Sequence, residues 1–162
     1  MKQIQFILVF FITITLSAQT IPQELLKNMT PRNIGPGGMS GRVTAIDAVH
    51  SNPDIIYAGT ASGGLWKSNS GGITWDPIFD KEVTASIGAV AIQQTNPSVV
   101  WVGTGEGNPR NSLNGGYGIY KSLDAGKSWL PMGLEKTRHI HRIVVDPTNP
   151  DVVYVGAIGS PW

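Results

Sequence analysis

The chain has 162 residues, no Cys, and 12 Lys and Arg against 11 Asp and Glu, which gives a formal net charge of +1. The absence of Cys excludes disulfides, thiolate metal sites and a lipid anchor on Cys. A charge so close to zero, with no basic cluster, does not favour nucleic acid or an anionic membrane as a partner.

The first 18 residues have the pattern of a cleavable signal peptide. Lys2 supplies a basic start, residues 4–16 are mostly apolar, and small residues precede a cut near Ala18 and Gln19. The apolar stretch is too short to span a bilayer, and no later segment is apolar enough to cross one. We therefore predict a secreted, periplasmic or cell-surface protein with no transmembrane segment in its mature chain.

Residues 19–42 are expected to form a lead-in to the first strand. Residues 22–29 predict two helical turns, with Pro22 in the first turn, where its missing N–H costs nothing. Residues 32–42 are rich in Gly and predict an ordered loop.

From Val43 onward the sequence repeats. A turn beginning Asn-Pro, followed by a β-branched and aromatic strand that ends in Gly, occurs at residues 52–60, 96–104 and 149–157. Another apolar strand precedes each copy, at residues 43–49, 87–92 and 140–145. In the first two copies a third strand follows, at residues 64–68 and 118–122, and a fourth begins at a Trp. Four short antiparallel strands per repeat are typical of a propeller blade.

A shared turn motif, Ser-x-Asp-x-Gly-x-(Ser/Thr)-Trp, links the third and fourth strands. The first copy contains Ser68, Gly72, Thr74 and Trp75, with Ser70 in the place of Asp. The second copy contains Ser122, Asp124, Gly126, Ser128 and Trp129. Short acceptor side chains can bind the amides of their own turn, and Gly takes a positive φ without steric cost. We expect the two Trp residues, together with Trp66, Trp101 and Tyr120, to lie in an apolar core between blades.

The spacing of the repeats divides the chain into blades. Asn52 and Asn96 are 44 residues apart, close to the ~40–45 residues of a blade. Ser68 and Ser122 are 54 apart, because ten extra residues lie between Thr104 and Tyr120. We predict blades at 43–86 and 87–139 and part of a third at 140–162.

A propeller typically needs about 4–8 blades to close its ring. The chain is therefore expected to be a fragment of a longer exported protein that supplies the remaining blades. A small stand-alone domain is the alternative.

The turn at residues 122–129 resembles the Asp-box, or BNR repeat, of sialidases, xyloglucan-hydrolysing glycosidases and the sortilin propeller. Together with residues 32–42, 60–66 and 103–111, it is similar to the start of exported bacterial proteins described as sortilin-like or as BNR-repeat glycosyl hydrolases. The resemblance implies an all-β fold, an incomplete β-propeller of about two and a half blades. For activity it implies a glycoside hydrolase at most.

The residues do not favour hydrolysis. In the xyloglucan-hydrolysing family the first blade carries a catalytic Asp, and this sequence has Ala61 at the matching position. Ala neither donates nor accepts the proton that glycosidic cleavage needs. The Arg-Ile-Pro segment of sialidases does not occur in the sequence either.

The inserted loop carries the densest group of hydrogen-bonding side chains. Its candidate binding residues are Glu106, Asn108, Arg110, Asn111 and Tyr117. Such groups suit sugar hydroxyls or a peptide carboxylate, and Tyr117 is the candidate for stacking on a sugar. The alternative interpretation is a loop that satisfies only its own backbone.

No metal or cofactor site is expected. His139 and His141 share one side of a strand, but no carboxylate or third His is near in sequence, so a structural or surface role is favoured. Asp124 alone is too little for calcium. Residues 103–107 follow a strand but lack the Gly-Lys-(Ser/Thr) ending of a phosphate loop.

Two functional hypotheses remain. The first is a non-catalytic propeller platform that binds a protein or polysaccharide. The second is a glycoside hydrolase whose carboxylates are Asp47, Glu106 or residues outside this sequence.

Overall fold

The computed structural model describes residues 22–29, 42–108 and 112–159. The first stretch belongs to a unit formed by Met1–Asn33, and the other two belong to the unit Ile34–Trp162. In the first unit, Gln23–Leu26 form a 3-10 helix, and Lys27 pairs with Glu24 at 2.8 Å. This helix is shorter than the two predicted turns because Pro22 provides no side-chain cap and an uncapped short helix is marginal. The predicted signal peptide and the loop at 32–41 lie outside the described residues.

The described part of the second unit contains ten strands in three antiparallel sheets. The first sheet contains, in spatial order, β1 (Val43–Val49), β2 (Asn52–Thr60), β3 (Leu65–Ser68) and β4 (Asp76–Pro77). The second contains β5 (Ile87–Ile92), β6 (Val100–Thr104), β7 (Ile119–Ser122) and β8 (Leu130–Pro131). The third contains β9 (Ile140–Val145) and β10 (Val153–Ala157), and a 3-10 helix, Glu135–Thr137, precedes it. The predicted order of strands is confirmed.

The three sheets share one strand register, so residues can be compared from sheet to sheet. Ala45 is opposite Gly59, Ala89 is opposite Gly103, and Arg142 is opposite Gly156. An irregularity in the pairing lies beside each of these pairs. By the same register, one repeat position is occupied by Tyr57, Trp101 and Tyr154.

Both Ser…Trp turns have the hydrogen bonds that the motif predicts. In the second turn the Ser122 hydroxyl accepts from the amides of Asp124 (3.2 Å) and Gly126 (2.8 Å). The Asp124 carboxylate accepts from the amide (2.9 Å) and hydroxyl (2.6 Å) of Ser128. These donors, with the Ser122 hydroxyl, lower the pKa of Asp124 from 3.8 to about 2.

The first turn repeats this geometry without a carboxylate. Ser68 Oγ accepts from the amides of Ser70 (3.1 Å) and Gly72 (2.9 Å), and Ser70 Oγ accepts from the amide of Thr74 at 2.9 Å. Gly72 and its counterpart Gly126 both have φ of +90°, a conformation that glycine adopts without a steric penalty. A serine therefore replaces the aspartate with the same backbone partner.

The apolar core lies between neighbouring sheets. Between the first two sheets, the Phe79 ring makes edge contacts with Tyr120 and Trp129, each with centroids 5.2 Å apart. Trp129 Nε1 also donates to the Ile78 carbonyl at 2.7 Å, which joins the second turn to the first sheet. A second cluster between the second and third sheets includes Trp101 and Ile140.

The predicted core aromatics are not all equally buried. Trp66, Trp101 and Tyr120 are buried, whereas Trp75 and Trp129 are half-buried. Each of these two Trp residues lies in the turn before the fourth strand of its sheet. The Trp75 indole donates to the Gly72 carbonyl of its own turn at 2.9 Å, and the Trp129 indole donates to the Ile78 carbonyl beside the first sheet. The expected place in the core between blades is therefore confirmed for Trp129, which packs against the core cluster of the first two sheets, whereas Trp75 is half-buried against its own turn.

Glycine at the end of the second strand permits the close approach of the next sheet. A Cβ on Gly59 would lie 3.0 Å from Ile87 Cβ, and one on Gly103 would lie 2.8 Å from Ile140 Cβ. In both cases the neighbour is the first residue of the following sheet. Consecutive sheets thus pack face to face through one repeated contact, which is the packing of propeller blades.

Candidate functional site

In each of the three sheets, the start of the first strand lies beside the end of the second strand. We call the edge where these strand ends lie the rim. The residue before each first strand accepts a backbone hydrogen bond from a residue that follows the second strand. Arg42 O accepts from Ala61 N (3.0 Å), and Ser86 O accepts from Gly105 N (2.8 Å). His139 O accepts from Ile158 N in the same way (3.0 Å). The inserted loop, residues 105–118, leaves the second sheet at this rim.

Glu106 lies at the base of this loop and is fully buried. One carboxylate oxygen pairs with the Arg42 guanidinium, whose side chain is 41% exposed, and the other accepts from the Asn114 amide at 3.0 Å. Its own amide donates to the Ser86 hydroxyl (3.1 Å) and the Asn114 carbonyl (3.2 Å). Its carbonyl lies 2.8 Å from Nδ1 of buried His139. Glu106 thus joins the start of the loop to Asn114 and contacts Arg42 before the first sheet and His139 before the third.

The far end of the loop is fixed to the same strand. Thr104 Oγ1 donates to the Gly118 carbonyl and accepts from the Tyr117 amide, both at 2.7 Å. Gly116 N donates to the Arg138 carbonyl at 2.6 Å. With its backbone held in this way, Tyr117 leaves its side chain 53% exposed. The loop therefore presents an aromatic ring on a constrained backbone.

The backbone of Arg138 is strained at this rim. Its φ is +61°, which costs a non-glycine residue energy and persists only where the surroundings impose it. Here its carbonyl is held by Gly116, and its guanidinium lies against Gly115, where a Cβ would be 2.8 Å from Nε. The next residue, His139, lies with its Nδ1 against the Glu106 carbonyl.

The structure brings together only some of the predicted binding residues. Glu106 is buried at the base of the loop, Tyr117 is exposed, and Asn108 is half-buried. Arg110 and Asn111 lie outside the described residues. Their roles as ligand contacts stay predictions. The expectation that Glu106 offers an accessible group at the rim is corrected, because Arg42 and Asn114 occupy both of its oxygens.

Sequence reasoning missed Arg42, Ser86 and Asn114 as parts of this site. Arg42 is 64 residues from its partner Glu106, so no local pattern connects them. The one available signal was the repeat itself, which places the residues before β1, β5 and β9 beside the residues after β2, β6 and β10.

Asp47, the other candidate carboxylate, lies away from the loop. Its Oδ2 accepts from the Ile92 amide at 2.8 Å, and its Oδ1 accepts from the Ala48 amide at 2.9 Å. It therefore ties the first strands of two sheets together. Within the described residues, no three His, Cys, Asp or Glu side chains are grouped so that they could hold a metal ion.

Asp47 also lines a second concave surface, along the first strands of all three sheets. This cavity has a volume of about 590 Å³ and is bordered by polar groups of His50, Gln94, His141 and Arg142. His141 is exposed while His139 is buried, so the two imidazoles do not share one environment. The cavity is the inner face of the arrangement, and its polar groups come from different sheets.

Solved structures of GH74 enzymes are similar to this chain in fold. A GH74 enzyme from Niastella koreensis matches with a TM-score of 0.57 and 23% identity over 72% of this chain. An ancestral GH74 enzyme matches with a TM-score of 0.57 and 24% identity over 71%. The chain folds as an incomplete β-propeller. It spans 18% and 16% of the lengths of those two proteins.

Sequence identities of 23% and 24% show a shared fold. The activity has to be argued from the residues of the site. No protein-family model matches the sequence, and no curated protein matches it. The described part of the chain contains no helix with the length and apolar character needed to cross a membrane. The predicted all-β propeller is confirmed, and the finer resemblance to Asp-box and sortilin-like proteins stays a prediction.

Proposed function

We propose that this chain is part of an exported propeller platform that binds polysaccharide at the rim around the inserted loop. Export is supported by the basic and apolar start of the sequence. Polysaccharide, rather than a protein, is favoured as the ligand because the fold is shared with GH74 enzymes and because the inserted loop carries an exposed aromatic ring, Tyr117, and amide side chains.

The observation that carries the proposal is that both candidate catalytic carboxylates already have hydrogen-bond partners within the chain. Glu106 is buried, paired with Arg42 and bonded to the loop backbone. Asp47 accepts two backbone amides at the junction of two sheets. A glycosidase needs two carboxylates that face each other across the scissile bond, about 5–10 Å apart, with one of them able to donate a proton. Ala61, which follows β2 and is buried, stands where the xyloglucan-hydrolysing enzymes that the sequence resembles have an Asp.

The exposed groups of the rim suit sugar binding. The Tyr117 ring can cover the apolar face of a pyranose, because a large aromatic surface with little flexibility binds at low entropic cost. Asn108 and Asn114 offer amide donors and acceptors for hydroxyls; Asn114 Nδ2 also lies 3.3 Å from the Ala61 carbonyl. Arg110 and Asn111 complete the proposed contact set. The fixed backbone of Tyr117 reduces the ordering cost of binding.

Affinity electrophoresis of the chain in gels that contain xyloglucan, mixed-linkage glucan or no polysaccharide tests the proposal. Tyr117→Ala is expected to weaken retardation by about tenfold, the loss of one stacking contact of roughly 1.4 kcal/mol. Tyr154→Ala is the matched control, because Tyr154 is also exposed, at 62%, but lies on the third sheet away from the loop. Equal retardation of both variants, or none for the unmodified chain, contradicts the proposal.

A glycoside hydrolase is the second candidate, and the shared fold with GH74 enzymes favours it. Release of reducing ends from a bound polysaccharide, abolished in Glu106→Gln but not in Tyr154→Ala, would replace the binding proposal by this one. Retention of polysaccharide without release of reducing ends supports a platform. Retention of a peptide library with no polysaccharide binding would instead identify a protein ligand.

A further inference from the structure

An exposed arginine lies against the inserted loop, just before the third sheet begins. The Arg138 carbonyl accepts from the Gly116 amide at 2.6 Å, and the Arg138 guanidinium packs against Gly115. A Cβ on Gly115 would lie 2.8 Å from Arg138 Nε and 3.0 Å from its Cζ, so a side chain at residue 115 would displace the guanidinium. The guanidinium thus lies against the loop two residues before Tyr117, the exposed ring of the loop.

A second glycine lets His141 contact the loop near its other end. A Cβ on Gly107 would lie 2.6 Å from His141 Cγ and 2.8 Å from His141 Cβ. The His141 side chain is exposed, as that of Arg138 is. Glycines near both ends of the inserted loop therefore leave room for nitrogen-bearing side chains that come from residues 138–142.

The positive charge of Arg138 has no Asp or Glu of this chain as its partner. All 11 acidic side chains of the sequence belong to residues that the structure describes. Among these carboxylates, Glu24 pairs with Lys27 and Glu106 pairs with Arg42, and none pairs with Arg138. Arg42 is thus already neutralised at the rim, whereas the Arg138 guanidinium is exposed and charged without a counter-ion from the chain.

Two other carboxylates, those of Glu82 and Glu135, act on a different part of the molecule. Burial raises the pKa of the Tyr120 hydroxyl, and the negative charges of Glu82 and Glu135 add to this rise. Tyr120 contacts Phe79 in the core between the first two sheets. These carboxylates therefore act at the interface of the first two sheets and form no ion pair with Arg138, which precedes the third.

An unpaired guanidinium beside an aromatic ring suits a sugar that carries a carboxylate. The planar donors of Arg match the two oxygens of a carboxylate, and hydrogen bonds between charged groups are about twice as strong as those between neutral groups. A uronic acid carries its carboxylate at the edge of the sugar ring. One such sugar can therefore offer its face to Tyr117 and its carboxylate to a neighbouring guanidinium.

We propose that the polysaccharide bound at the rim is acidic and that the carboxylates of its uronic acid residues pair with Arg138. This inference rests on the proposed function, because it names the class of polysaccharide that the same loop prefers. Tyr117 covers the face of the sugar, and Arg138 donates to both carboxylate oxygens. The loop sequence adds the positive charge of Arg110 and, besides neutralised Glu106, no acidic residue. Neutral polysaccharides are the weaker ligands of this rim.

Isothermal titration calorimetry of the chain with tetragalacturonate and with its methyl ester, at neutral pH and low salt, tests the inference. Esterification removes the charge and keeps the sugar. We expect the galacturonate to bind roughly five- to tenfold more tightly than the ester, and this preference should decrease at about 0.5 M salt. Arg138→Gln is expected to remove the preference. Arg142→Gln is the matched control, because Arg142 is also exposed but lies on β9 opposite Gly156, and it should keep the preference.

The inference is overturned if the unmodified chain binds the galacturonate and its ester equally, or if Arg138→Gln keeps the preference. Equal binding would leave the proposed polysaccharide platform standing, whereas no binding of either oligosaccharide or of xyloglucan would overturn both proposals. Loss of the preference in Arg142→Gln as well would replace the local pair by a general effect of charge. Tighter binding of a tetraglutamate peptide than of tetragalacturonate would also overturn the inference, by making an acidic peptide the ligand.

Discussion

Replacement of Gly103 by Ala tests the repeated contact between sheets. A Cβ at this position would lie 2.8 Å from Ile140 Cβ and 3.2 Å from the Ile140 carbonyl. Ile140 is fully buried, and its Cβ and carbonyl cannot leave by a side-chain rotation, so the third sheet must move away from the second. Overpacking of this kind typically costs about 1–3 kcal/mol. We expect the upper end, about 3 kcal/mol, because the clash is with backbone as well as side chain.

The same position in the third sheet provides the control. A Cβ on Gly156 has Arg142 Cβ as its nearest neighbour at 3.4 Å, an ordinary contact. Gly156→Ala should therefore leave stability nearly unchanged. Thermal unfolding followed by circular dichroism distinguishes the two variants, since about 3 kcal/mol corresponds to a fall in Tm of roughly 6–12 °C in a chain of this size. If the two variants unfold at the same temperature, the face-to-face packing of the sheets is refuted.

Three further predictions concern the turns and the loop. Trp129→Ala removes the ring that contacts Phe79 and should cost about 3 kcal/mol in urea unfolding; wild-type stability would exclude its role between sheets. Asp124 has its pKa lowered from 3.8 to about 2, so its native carboxylate stabilises the fold above pH ~4 and that contribution is lost as pH falls toward 2. Asp124→Ser gives the second turn the Ser of the first. The difference in unfolding free energy between this variant and the unmodified chain should shrink as pH falls from about 4 to 2. A difference that does not change with pH contradicts the assignment. Glu106→Ala leaves Arg42 and the Asn114 backbone amide without their acceptor and should cost about 2 kcal/mol, measured by urea unfolding, with exposed Glu135→Ala as the control.

The fold was largely predictable from the sequence because each blade repeats its own local signals. The Asn-Pro turn and the Gly at the strand end occur in all three sheets, and the Ser…Trp turn occurs in the first two, so one repeat unit with a single loop insertion accounts for the order of the strands. Ser70 shows why the pattern tolerates change, since its hydroxyl accepts the same Thr74 amide that a carboxylate would accept. The half-burial of Trp75 was not predictable, because the motif does not specify how far the fourth strand covers it.

The candidate site was less predictable because its contacts are long-range. The sequence identified Glu106 as a dense polar position, but its burial depends on Arg42 and on the return of the loop at Asn114. The positive φ of Arg138 has no local signal, since Arg carries no preference for that conformation. The Arg138 carbonyl accepts from the Gly116 amide of the inserted loop, a contact that no local pattern predicts.

The central claim is that ligand binds at the rim around residues 105–118. Chemical-shift mapping of the 15N-labelled chain with a xyloglucan oligosaccharide measures this most directly. We predict that the perturbed amides cluster at Asn108, Asn114 and Tyr117, with smaller changes at Glu106. Perturbations confined to the cavity along β1, β5 and β9 would contradict the account. So would saturation of the chain with the oligosaccharide without any change at the Tyr117 amide.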